Sequence, residues 1–125
     1  MREILFRGKR IDNGEWVYGL LCRVGDTYAN IVEKSTEVMC TVLTNTIGQS
    51  TGLTDKNGKK IFEGDIVHFR TSGLSGYGEV KDENGRFVIV DKRKKPTRYY
   101  PFYDDAIYRV DGNIHDNPEL LEETE

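Results

Sequence analysis

Alanine is nearly absent from this chain: Ala29 and Ala106 are the only two in 125 residues. A helical bundle is therefore a poor reading, and the recurrent Val, Ile, Tyr, Phe and Thr favour extended backbone instead. Proline is scarce as well, at three, and 13 glycines without a period exclude both a fibrous repeat and a disordered chain. The two cysteines, Cys22 and Cys40, form no CxxC pair. Their apolar flanks predict reduced, mostly buried thiols of a cytosolic protein. No stretch approaches the roughly 20 apolar residues needed to cross a bilayer, and the N-terminus lacks the apolar core of a secretion signal. The expected location is the cytoplasm, with no membrane partner.

What is present is charge, and it is uneven. The net charge is −3, which argues against bulk attraction to nucleic acid. Residues 61–125 hold most of the acidic groups, yet within them lies one basic island, Lys92, Arg93, Lys94, Lys95 and Arg98, followed by Tyr99, Tyr100, Phe102 and Tyr103. Cations could neutralise phosphates there while Tyr99 or Tyr100 stacked on bases. The plainer reading is a solvated loop joining two strands, with some of the rings turned into the core.

Short β-like runs separated by Gly-containing turns recur along the chain. Residues 2–9 and 15–22 flank Asp12-Asn13-Gly14 and read as a hairpin, and Gly25-Asp26 leads to a third strand over 27–32. Residues 33–47, rich in Thr and Val over 37–42, favour extended backbone. The segment 48–65 is dense in turn formers, with Asn57-Gly58 the strongest turn signal, and Leu53, Ile61 and Phe62 are expected to pin it to the core. In 66–70, Val67 and Phe69 share one face and Ile66, His68 and Arg70 the other. Gly73 and Gly76 mark a flexible loop over 71–76. The clearest strand is 86–91, another covers 105–110, and Asp116-Asn117-Pro118-Glu119 predicts the start of one short helix. The fold class is mainly β: a small barrel-like domain with one or two short helices. It is read as one domain over 1–125, with subregions 1–47 and 61–115 joined by the turn-rich segment 48–60.

Catalysis finds no foothold in the pattern. Asp104-Asp105 and Glu122-Glu123 are adjacent pairs whose side chains diverge on extended backbone, so a general acid/base pair is not indicated. His68, His115, Cys22 and Cys40 have no metal-ligand spacing, and there is no phosphate-binding glycine loop. No catalytic residue, metal or cofactor is expected. Trp16, Tyr18 and Tyr28 are expected to form an aromatic patch on the first sheet, with Met39 or Ile31 available to an oligomer contact.

Three blocks resemble a known family. They are Arg2-Glu3-Ile4-Leu5-Phe6-Arg7, the run from Ile47 through Gly48, Gln49, Thr51, Gly52, Leu53, Asp55, Gly58, Glu63, Gly64 and Asp65 to Val67, and the ending from Gly112 through Asn117 and Pro118 to Leu121. Together they resemble the YopX family of phage and prophage proteins. The resemblance implies a β-rich fold with an SH3-like component near Glu63-Gly64-Asp65, residence in the cytoplasm of a bacterial host, and self-association. It brings no activity, and its motif residues are read as structural. Two positions depart from the family pattern, Ser50 and His115, each standing where an aromatic is usual, and partial exposure is expected at both. Independently of the family, Asp65 is expected to accept local backbone N–H groups in a tight turn. The leading function is a non-enzymatic accessory protein that binds itself or another phage or host protein; the alternative is a small nucleic-acid-binding module using 92–103.

Overall fold

A computed structural model describes residues 4–122. The chain is mainly β and divides at Gly52/Leu53 into two compact units. The first contains β1 (Phe6–Lys9), β2 (Trp16–Val24), β3 (Tyr28–Glu33), β4 (Met39–Leu43) and most of β5 (Gly48–Thr54). All pairings are antiparallel, in the order β4-β3-β2-β1-β5. The sheet curls far enough for Arg10 to form an isolated bridge with Val42, a single rung rather than a seam. Alternation places Val17, Ala29, Ile31, Cys40 and Val42 in the core, with Phe6, Leu21 and Ile47 packed against them. The opposite face carries the pairs Arg7–Tyr18, Lys9–Trp16, Leu20–Val32 and Val32–Met39.

The second unit contains β6 (Lys60–Phe62), β7 (Asp65–Arg70), β8 (Ser75–Glu83), β9 (Arg86–Asp91), β10 (Arg98–Pro101) and β11 (Ile107–Asn113). Five of these form an antiparallel sheet in the order β10-β9-β8-β7-β11, so the last strand returns beside β7. Its core is aromatic. Phe69 meets Tyr100 edge-on with centroids 5.1 Å apart, and lies 5.7 Å from Tyr103 and 6.0 Å from Tyr108. Such pairs each contribute about 0.5–1.5 kcal/mol beyond burial. Ile61, Val67, Val80 and Ile89 complete the cluster.

Several sequence expectations change. Neither sheet is a closed barrel: β10 and β11 end the five-stranded order with no ladder joining them. Residues 48–54 are a strand rather than a loop, because Gly48 and Gln49 pair with Arg7 and Phe6, and that pairing overrides weak local propensity. Residues 71–74 close as a tight turn, Thr71 N–H donating to the Leu74 carbonyl at 2.7 Å, and Ser75 and Gly76 already belong to β8. Gly76 serves packing: a Cβ there would strike the Phe69 ring. Leu53 is exposed, while Ile61 and Phe62 are buried as expected. Cys22 is exposed because alternation along β2 puts it on the outer face with Tyr18 and Leu20. The terminal helix is one 3-10 turn, Pro118–Leu121. The start of the first predicted strand, residues 2–3, and Glu123 lie outside the described residues.

Candidate interaction surfaces

The motif residues of the central block are found building turns. Asp55 is buried and its carboxylate accepts three backbone N–H groups: those of Asn57 and Lys59, both at 2.9 Å, and that of Val110 at 3.1 Å. Burial opposes the negative charge, but the donations from Val110, Lys59 and Asn57 outweigh it and hold the carboxyl below its ordinary value. Asn57-Gly58 turns as expected, with Gly58 at φ +82°. At the second turn Gly64 has φ +93°, its N–H reaches the Val80 carbonyl at 2.8 Å, and the buried Asp65 accepts the Phe62 N–H at 2.8 Å. Glu63 beside them is half-buried. In the last block Asn117 Oδ1 accepts the Asn113 N–H at 3.2 Å, and a side chain at Gly112 would strike that amide. Pro118 follows at the start of the 3-10 turn. Within β5, Gly48, Ser50 and Thr51 are buried, Gln49 is half-buried and Gly52 is exposed. Ser50 is therefore not the exposed position expected: its N–H bonds the Leu5 carbonyl at 2.7 Å and its Oγ accepts the Gly52 N–H at 3.1 Å. His115 is half-buried.

Within the basic island, Arg93 differs from its neighbours. Arg93 is tied to the buried Asp91 through Nε at 3.0 Å and Nη2 at 3.2 Å, and its guanidinium lies 4.4 Å from the centroid of the Tyr77 ring. The bond to Asp91 raises the Arg93 pKa further above its ordinary value, so this cation is permanent and fixed in direction. Lys92, Lys94, Lys95 and Arg98 are exposed. Arg98 and Tyr100 stand two apart on β10, with the guanidinium 5.6 Å from that ring. Tyr100 is buried in the core and cannot stack on a base, whereas Tyr99 on the other face is 61% exposed. Phe102 and Tyr103 pack against the core. Burial pushes the Tyr77 hydroxyl above the ordinary tyrosine value, and the charge of Asp111 adds to it.

Strand register brings further cations beside this segment, and sequence order gave no sign of them. Arg109 pairs with His68 and His68 with Tyr77, while Arg70 pairs with Ile107 and Ser75 in the next row. His68 lines two hollows. One, of about 420 Å³, is shared with Tyr77, Asp91, Arg93, Lys94 and Arg98; the other, of about 140 Å³, with Lys56, Arg70 and Arg109.

The outer face of the first unit is apolar where its three middle strands run together. Leu20, Val32 and Met39 stand in one cross-strand row; Leu20 is 62% and Met39 60% exposed. Beside them a hollow of about 260 Å³ is lined by Ile4, Leu5, Leu20 and Val32 and rimmed by Glu33, Lys34 and Glu37. Tyr18 and Tyr28 are exposed on this unit, and Trp16 is half-buried, with the Arg7 guanidinium 4.5 Å and the Lys9 ammonium 5.5 Å from its ring. Ile31 is fully buried and unavailable to an oligomer contact.

Among the described residues no group of three or more His, Cys, Asp or Glu could hold a metal ion. None of their helices is long and apolar enough to cross a membrane. Asp104 and Asp105 are both exposed.

The family model described as YopX protein matches residues 5–122, and the chain belongs to that family. Among solved structures it is similar to the crystal structure of protein EF1440 from Enterococcus faecalis, at 26% identity and a TM-score of 0.54, over 98% of this chain and 100% of that one. No curated protein matches.

Proposed function

We propose that this YopX family member is a non-catalytic accessory protein of a phage or prophage, working in the bacterial cytoplasm by binding protein through the outer face of its first unit. The observation that carries this reading is the Leu20–Val32–Met39 row, an apolar ladder across three adjacent strands with its two outer members more than half exposed. Isolated surface leucines are ordinary, but a contiguous row beside an apolar hollow is the composition of an interface centre. The charged rim of Glu33, Lys34 and Glu37 matches the polar border such surfaces carry. The phage setting rests on the family, and an SH3-like relationship for the second unit is supported by its strand order, in which the fifth strand pairs with the first.

The partner is a second copy of this chain or another protein of the phage or host. Sedimentation of the wild type and of a Leu20→Lys/Met39→Lys variant across a concentration range separates these two. Self-association in the wild type that the variant lacks identifies a second copy. If both are monomeric, the same variant pair serves as bait in induced host cells, and a protein retained by the wild type and lost by the variant identifies a different partner. A wild type that neither associates nor retains any protein lost by the variant overturns the reading.

A further inference from the structure

The second unit has a surface of a different kind. The two hollows lined by His68 are bordered by six cations: Lys56, Arg70 and Arg109 on one side, Arg93, Lys94 and Arg98 on the other. Against these stand two carboxylates, Asp91 lining the larger hollow and Asp111, each bonded to its own arginine. A chain of net charge −3 thus gathers a strongly positive band on one unit. The band is assembled by register: Arg109, His68 and Tyr77 form one row across β11, β7 and β8, and Arg70 stands in the next. Adjacent strands are about 4.8 Å apart, so three strands and the flanking segment span the reach of two or three consecutive phosphates.

We propose that this band binds the phosphate backbone of single-stranded nucleic acid, which runs from the Lys56–Arg70–Arg109 hollow past His68 into the Arg93–Lys94–Arg98 hollow. The cations line two concavities, and hollows of this size suit a flexible strand better than a rigid duplex. Arg93 supplies orientation. With one edge on Asp91 and one face on Tyr77, its guanidinium is a fixed flat cation whose other face can receive a base, as aromatic rings and arginine planes do in sequence-tolerant binding. Binding of this kind is insensitive to base identity, because phosphate contacts carry no sequence information.

The test is fluorescence anisotropy of a labelled 12-residue oligothymidylate at low salt with the full chain. Three phosphate contacts predict a slope of log affinity against log salt of about −2, from roughly −0.7 per phosphate on a single strand. Lys94→Glu alone, on an exposed loop, and Arg70→Glu/Lys94→Glu, one from each hollow, should lose affinity progressively, the double variant by about tenfold or more. Arg86→Glu, the same charge change on an exposed residue that lines neither hollow, should leave it unchanged. Equal weakening by Arg86→Glu overturns the band in favour of diffuse charge. Tighter binding of a duplex of equal length overturns the single-strand path, and competition by adenosine monophosphate at matched phosphate concentration assigns the band to a free nucleotide instead. Absence of oligonucleotide binding in the wild type overturns the proposal outright. Leu20→Lys/Met39→Lys should bind the strand normally, which keeps this outcome separate from the test of the first unit.

Discussion

The two units spend their apolar residues in opposite ways. The buried cluster of the first is small and aliphatic, Val17, Ala29, Ile31, Cys40 and Val42, while Leu20, Met39, Val24, Tyr28 and others stand exposed. The second buries Phe69, Tyr100 and Tyr108 with Phe87, Phe102 and Tyr103 around them, and shows arginine, lysine and histidine outside beside scattered apolar groups such as Tyr99 and Ile107. A unit that leaves large apolar side chains in water while its own core contains an alanine gives up stability that inward placement would supply. This exposure is what supports the binding role proposed for that face. In the second unit only part of the surface charge serves the interior: Arg93 neutralises the buried Asp91, whereas Lys94 and Arg70 stand exposed.

The largest effect that sharpens this contrast is Phe69→Ala, which removes the ring three tyrosines pack against and should cost about 3–5 kcal/mol in urea unfolding. Asp55→Ala follows. It strands three N–H donors and should cost about 2–3 kcal/mol, with Asp55→Asn falling between it and the wild type. Because the folded-state pKa of Asp55 is depressed, its contribution is complete above the unfolded value of about 3.9 and is lost as pH falls through the lower folded value. Denaturant midpoints of Asp55→Asn should accordingly converge on those of the wild type on acidification, and parallel curves would show the carboxylate to be unimportant. Tyr108→Phe is smaller, about 1 kcal/mol, since the hydroxyl donates to the Tyr103 carbonyl at 3.0 Å and accepts its N–H at 2.6 Å. Burial raises the Tyr108 pKa, so stability from this group is present below the unfolded value of about 10 and lost as pH rises through the folded one. Least of all, Leu20→Ser should alter stability by no more than about 0.5 kcal/mol, measured by the same unfolding curves. A loss above about 2 kcal/mol would place Leu20 in the core economy and break the comparison.

Local chemistry was legible in the sequence. The Asp12-Asn13-Gly14 and Asn57-Gly58 turns, the 86–91 strand, the inward Val67 and Phe69, and the carboxylate of Asp65 on a nearby N–H all follow from rules that act over a few residues. What escaped depends on partners. Gly48–Thr54 has too much glycine to declare itself a strand, and does so only against β1. The basic residues divide likewise: 92–98 is conspicuous as a run, yet nothing in the run shows that Arg93 is oriented by Asp91, while Arg70 and Arg109 meet through antiparallel register and Lys56 joins them from the turn bonded to Tyr108. The Leu20–Val32–Met39 row was hidden for the same reason, since its members lie on three strands.

β11 ends its sheet, and an outermost strand is where a second polypeptide can lengthen a sheet by adding its own backbone. Two of the groups such an addition would need are already taken: the Tyr108 carbonyl accepts the Lys56 N–H at 2.8 Å, and the Val110 N–H is held by Asp55. The turn at 55–59 therefore works as a stopper, making the sheet finite on that side. Its loss would reopen a template for fibrous growth as well as loosen the fold, so Asp55→Ala should aggregate at concentrations where Tyr108→Phe stays dispersed.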